Sequence, residues 1–259
     1  MKQHLDFILT PMSDLLEEAS VALLGIDIDI SSYPMAEYFL KSLFLKMSGF
    51  QEQKLKCICW EMATVDYDYR YNAYSKGFSH HECSNYTDKC GVLRDIISEI
   101  LKKNSNFDAC NSVNLSRLLA EVGKNIDDFY ESARLKGWLE HEYLTYKQSF
   151  RLRPQCFNIL DDIKKAFLFV KKCSEQRRQA CGHPMCGLIG SEWLYANVVY
   201  SFRNQCAHNT LSCQKDSCAL AQMSDPGFVY KNYFVRLHLL TIIDTIFVSF
   251  YKQFLEVWQ

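Results

Sequence analysis

Apolar side chains recur every three or four residues along most of this chain, the period of a helix with one face turned to a core. Met12, Leu15, Leu16, Ala19 and Leu23 follow it. Thr10-Pro11 just ahead reads as a helix opening: a capping hydroxyl, then proline at the first helical position. Residues 25–32 break the pattern. Pro34 reopens it, with Met35, Phe39, Leu43 and Met47 four apart on one face. After Ser48-Gly49, the stripe Leu55, Ile58, Cys59, Met62, Val65 and Tyr69 predicts a long helix over 51–74. Residues 75–90 are polar and read as a loop. Leu93, Ile96, Ile97, Ile100 and Leu101 predict a short amphipathic helix, followed by a second loop over 104–111.

The pattern changes over 114–154. Asn114 is placed to cap a short helix (Leu115, Leu118, Leu119, Val122) that is expected to stop at Gly123. Asn125 would cap the next, with Asp127 and Asp128 in its first turn, where they complement the helix dipole. Arg134, Lys136 and Gly137 would end it. Residues 143–146 and 149–153 then look like two strands around a Lys147-Gln148 turn, closed by Pro154. Helices are predicted again over 158–179, 191–206 and 229–257.

Composition narrows the class. Hydrophobic residues make up 48% of 259 and charged residues 23%, a globular balance that excludes disorder as the main state. Ten glycines and five prolines argue for a helical fold and leave no Gly-rich phosphate loop. Lysine and arginine number 29 against 30 acidic residues, a net charge of −1. No global basic field draws the chain to nucleic acid, so any such contact must come from a local patch. The twelve cysteines are irregularly spaced and follow no signal-peptide pattern, which predicts reduced thiols in the cytoplasm. The most apolar window, 237–251, contains His238 and Asp244 and reads as a core helix rather than a membrane span.

The sharpest local feature is Arg203-Asn204-Gln205-Cys206-Ala207-His208, at the end of one amphipathic helix and ahead of a loop and a long final helix. An arginine is always charged and presents a planar fork of donors suited to a phosphodiester. Histidine takes and gives protons near neutrality. The bland alternative is that both side chains satisfy the last carbonyls of a helix. On a regular helix two positions five apart are separated by about 140° of rotation. Arg203 and His208 therefore share a face only if the helix ends between them.

This run resembles the signature of the HEPN superfamily: an arginine, usually a polar residue, then histidine at the sixth position or slightly later. The resemblance implies a helical bundle and a metal-independent endoribonuclease that pairs two copies about a two-fold axis, with both motifs in one cleft. Arg203 would offset charge on the phosphorane formed by 2′-hydroxyl attack, His208 would move protons, and Asn204 would orient the arginine. No cofactor and no metal is expected. RNA is the expected substrate, and a toxin or antiviral-defence role, with an antitoxin or regulatory partner, is what the superfamily suggests. Thr210 stands where members regulated by tyrosine adenylylation carry a tyrosine, and no strand–helix alternation marks a sensor domain for cyclic oligoadenylate.

The order of elements over 114–154 resembles a winged helix-turn-helix. Lys147, Arg151 and Arg153 on the wing, with Lys124, Arg134 and Lys136, could touch phosphates, and Arg177 and Arg178 offer a further weak contact. Asp127, Asp128 and Glu131 would repel a DNA backbone, which favours a packing or RNA-guiding module over a DNA reader. Cys181, His183 and Cys186 could approach a zinc completed by Cys173 or by His80, His81, Cys83 and Cys90, although ordinary reduced cysteines fit the unpaired spacing better. The same holds for Cys213 and Cys218. The sequence therefore predicts a mostly α chain: N-terminal bundle helices over 1–90, a winged-helix-like insert with a small β-hairpin over 91–165, and C-terminal bundle helices with the motif over 166–259. The alternative function is a non-catalytic nucleic-acid-binding or scaffold protein, a winged-helix regulator whose bundle only dimerises.

Overall fold

A computed structural model of the protein describes residues 4–25, 33–75, 83–109, 112–133, 136–151, 195–207 and 232–258. Of these, 88% are helical and none lies in a strand. The helices are α1 (Leu5–Leu9), α2 (Met12–Leu23), α3 (Tyr33–Val65), α4 (Tyr67–Ser75), α5 (Tyr86–Lys103), α6 (Leu115–Ser132), α7 (Lys136–Thr145), α8 (Ser201–Ala207) and α9 (Tyr233–Trp258). Two wide turns with i→i+5 bonding, Tyr146–Arg151 and Tyr195–Tyr200, extend α7 and lead into α8. The expectation of a mostly α fold holds; the β-hairpin does not.

Helix α9 is the axis of the core. It packs against α2, α3, α5, α6 and α7, and its apolar side chains from Phe234 to Phe254 are buried nearly all round. By length and composition α9 is apolar enough to cross a bilayer, but 83% of that window is buried inside the fold. It is hydrophobic all round because every side faces a neighbouring helix. One continuous cluster runs from Ile8 and Leu16 through Phe44, Ile58, Ile96 and Val122 to Phe247 and Phe254.

Several polar groups in that core are paired across helices. Lys54 of α3 meets Asp244 of α9 at 2.7 Å, with both side chains 1% exposed. The Lys54 ammonium also donates to the Thr10 carbonyl at 2.6 Å, and Asp244 accepts from the Met12 N–H at 3.1 Å. This corrects the expected opening of α2. Thr10 closes α1 instead, its N–H and hydroxyl both donating to the Asp6 carbonyl. Pro11 is the N-cap and offers no side-chain acceptor, so the cap comes from Asp244, 232 residues away.

Three helix boundaries differ from expectation. Helix α3 passes through Ser48-Gly49 without interruption, because Leu40, Leu43, Phe44, Met47, Leu55, Ile58 and Met62 keep one helical phase against the core. The break falls at Asp66, whose carboxylate accepts from the Asp68 and Tyr69 N–H groups and so starts α4. Helix α5 begins at Tyr86, inside the expected loop, where the Asn85 side chain accepts from the Asp88 N–H at 2.8 Å. Helix α6 runs through Gly123 to Ser132, since Leu118, Val122, Ile126, Phe129 and Ala133 form one buried stripe. Asn114 does cap it, accepting from the Arg117 N–H at 3.0 Å.

The strand expected at 143–146, the Lys147-Gln148 turn and the first half of the second strand are helical. Tyr143 stacks on Tyr130 with ring centroids 3.8 Å apart and donates to Asp127 at 2.7 Å. The Tyr146 hydroxyl and His238 Nδ1 share a buried hydrogen bond at 2.8 Å. Leu139, Tyr143 and Tyr146, buried at helical spacing, override the strand preference of tyrosine and threonine. With neither the tight turn at Gly123 nor the wing, the winged-helix order is overturned over these residues.

The C-terminal turns of α3 and α5 meet at a charged joint. The Lys102 ammonium lies 2.6 Å from Asp66 Oδ2 and 2.6 Å from Glu99 Oε1. The Glu99 side chain is only 2% exposed. On the same side Trp258 of α9 donates its indole N–H to the Glu99 carbonyl, with the Lys103 ammonium over its ring.

Candidate functional site

Helix α8 is short, and its position is set by Phe202. That ring is buried against Phe44 of α3 at 5.1 Å and Tyr233 of α9 at 5.8 Å, centroid to centroid. The Arg236 guanidinium lies 3.5 Å over the same ring and donates through Nε to the Val198 carbonyl. The next residue is rotated about 100° from Phe202, which turns Arg203 off the core and along the flank of α3.

There the Arg203 guanidinium makes two directed contacts. Nη2 donates to Glu52 Oε2 of α3 at 3.1 Å, across 151 residues. Nη1 donates to the Asn204 Oδ1 at 3.1 Å. The arginine side chain is 27% exposed and the glutamate 12%, so the pair sits at the edge of the core. Ser48, one turn before Glu52, donates to its other oxygen at 3.5 Å.

Lys89 of α5 is wholly buried and is attracted by the Glu52 carboxylate. Its ammonium is 5.5 Å from the centre of the Tyr195 ring. Burial pulls the Lys89 amine down to about 8, opposed chiefly by attraction to Glu52. Tyr195 donates to the Ser84 carbonyl at 2.8 Å, and burial pushes its phenol well above the usual range. The arrangement is a partly exposed arginine held by a carboxylate and an amide oxygen, with a buried amine attracted by the same carboxylate.

The other expected site residues are scattered. His208 lies outside the described residues, as do Arg153, Arg177 and Arg178. Lys147 is on the wide turn after α7, its ammonium 5.4 Å from the Tyr143 ring centre. Arg151 ends that turn. Of the proposed zinc ligands, Cys173, Cys181, His183, Cys186, His80 and His81 fall outside the described residues, as do Cys213 and Cys218. Cys83 and Cys90 are buried, and the Cys83 thiol shares a hydrogen bond with Cys59, which together with burial drives the Cys59 thiol well above its ordinary value. No group of three or more metal-ligating side chains occurs among the described residues.

Sequence reasoning missed Glu52 and Lys89. Both sit on amphipathic helices as ordinary charged residues, and nothing in spacing ties them to an arginine more than a hundred positions away. Charge at a position where the helical phase demands burial was the one available signal for Lys89, which follows Tyr86 and precedes Leu93 on the inner face of α5. The chain matches no family model, no curated protein and no solved structure.

Proposed function

We propose that the chain is a metal-independent endoribonuclease of the HEPN type, with a HEPN-like helical bundle, acting as a cytoplasmic homodimer in a toxin or antiviral-defence setting. The observation that carries the reading is Arg203: a partly exposed arginine held by Asn204 and Glu52, in the first turn of a short helix, five positions before His208. In the proposed reaction the RNA 2′-hydroxyl attacks the adjacent phosphorus, forming the 2′,3′-cyclic phosphate and releasing the 5′-hydroxyl. His208 of one subunit takes the hydroxyl proton and the second copy's imidazole returns one to the leaving oxygen. Arg203 lies against the equatorial phosphoryl oxygens, where negative charge grows.

The test is cleavage of an RNA oligonucleotide in EDTA by the parent, Arg203→Ala and His208→Ala. Loss of turnover in both variants, with folding and dimerisation kept, is expected. Variants that cut like the parent refute the assignment. A second reading, a non-catalytic scaffold, is favoured by the same Arg203–Glu52 pair, since an ion pair joining α8 to α3 also has a purely structural use. RNA binding without turnover by the parent would select it.

A further inference from the structure

The contact between α8 and α3 goes beyond holding two helices together. We propose that Glu52 is a positioning residue for Arg203: its carboxylate and the Asn204 amide oxygen grip the guanidinium from the protein side and aim its remaining N–H groups at the RNA phosphate. This rests on the ribonuclease reading and adds to it a residue that lies outside the motif.

Arginine carries five N–H donors. The bond from Nη2 to Glu52 and the bond from Nη1 to Asn204, both 3.1 Å, use one on each terminal nitrogen. That leaves three further donors on a side chain that is 27% exposed. The acceptors come from different helices, so the guanidinium plane is held at two points and cannot swing about one. Glu52 is itself held: Ser48 donates to its second oxygen, and its side chain is mostly covered. A solvent-exposed ion pair contributes little because both partners remain mobile; these two are confined by packing. The buried Lys89 ammonium is a second cation attracted by the Glu52 carboxylate.

The carboxylate acts in two opposed ways. It orients the guanidinium for the transition state, where misplacement by an ångström costs on the order of 100-fold in rate. It also repels the phosphate in the ground state. Removing its charge should therefore lower kcat without weakening substrate binding.

The experiment measures steady-state cleavage of an RNA oligonucleotide by the full chain and by Glu52→Gln, Glu52→Asp and Arg203→Ala, with thermal unfolding of each. Glutamine keeps the shape and the acceptor oxygen but not the charge. The expected result for Glu52→Gln is a kcat lowered about 10- to 100-fold, a KM equal to or below the parent's, and an unchanged unfolding midpoint. Glu52→Asp keeps the charge but retracts it by one methylene and should lose kcat in the same sense; it serves alone if the glutamine variant fails to fold. An unchanged kcat in the folded variants overturns the positioning role. So does a raised KM with a lowered unfolding midpoint, which marks a structural contact. In either case an inactive Arg203→Ala leaves the ribonuclease reading standing. If Arg203→Ala cuts like the parent, that reading fails and the role of Glu52 goes with it.

Discussion

The buried Glu99 carboxyl predicts a fold whose stability falls as pH rises through neutrality. This carboxyl lies beside Asp66, and both share the Lys102 ammonium at 2.6 Å. Burial raises the Glu99 carboxyl from 4.5 to about 7, opposed by the hydrogen bond from Lys102 and reinforced by Asp66. Asp66 is held at about 2: burial works against it, but hydrogen bonds from Lys102, Glu99 and the Tyr69 and Asp68 N–H groups outweigh burial. The two carboxyls thus hold one proton between them near neutral pH, with the Glu99 O–H donating to the Asp66 carboxylate. The folded chain keeps this proton up to about pH 7, while the unfolded chain releases it near 4.5. The stabilisation is therefore complete below pH 4.5 and is lost as pH rises through 7. A shift of this size corresponds to about 3–4 kcal/mol at most, taking roughly 1.4 kcal/mol per pH unit. The neighbours that could mask it are Lys103 and Trp258 on the same side and Asp68 at the start of α4.

The assay is urea unfolding of the parent and of Glu99→Gln from about pH 5 to 8.5. Glutamine presents an N–H₂ to Asp66 as the protonated acid presents O–H, and does not titrate. The difference in unfolding free energy between the two should shift by about 2–3 kcal/mol in favour of the variant across that range. Curves that stay parallel over the whole range would falsify the shared proton.

Two further outcomes follow from the core. Gly49 is exposed within α3 and a Cβ there meets nothing within 4 Å, so Gly49→Ala should raise stability by about 0.5–1 kcal/mol in a thermal or urea melt; destabilisation would show that the helix does break at Ser48-Gly49. Lys54→Met leaves Asp244 buried without its ammonium and should destabilise by about 3–5 kcal/mol, whereas adding Asp244→Asn to it should recover part of that loss; two effects that simply add would refute the coupling.

The interruptions of the helices were harder to read than the helices. Serine and glycine at 48–49 and glycine at 123 are common helix breakers, yet each costs only about 1 kcal/mol inside a helix. The apolar stripes on either side of them stay in phase, and burying those stripes outweighs that cost. Tyr143, Thr145 and Tyr146 favour strands by local preference. Their helical register was decided by Tyr130, Asp127 and His238, which lie on other helices. Within the site, Arg203 and Asn204 were legible because they are adjacent. Glu52 was not, since its relation to Arg203 exists only once α8 is laid against α3.

The one-dimensional pattern alone established a helical chain with a long apolar C-terminal helix, because burial of a periodic apolar face is the main force driving the chain to fold and is written residue by residue. Which groups cap α2, which carboxyl keeps a proton near neutral pH and which acid grips Arg203 were settled only in three dimensions. Hydrogen bonds and charge pairs act over a few ångströms, and those distances are set by how the helices pack, not by their separation along the chain.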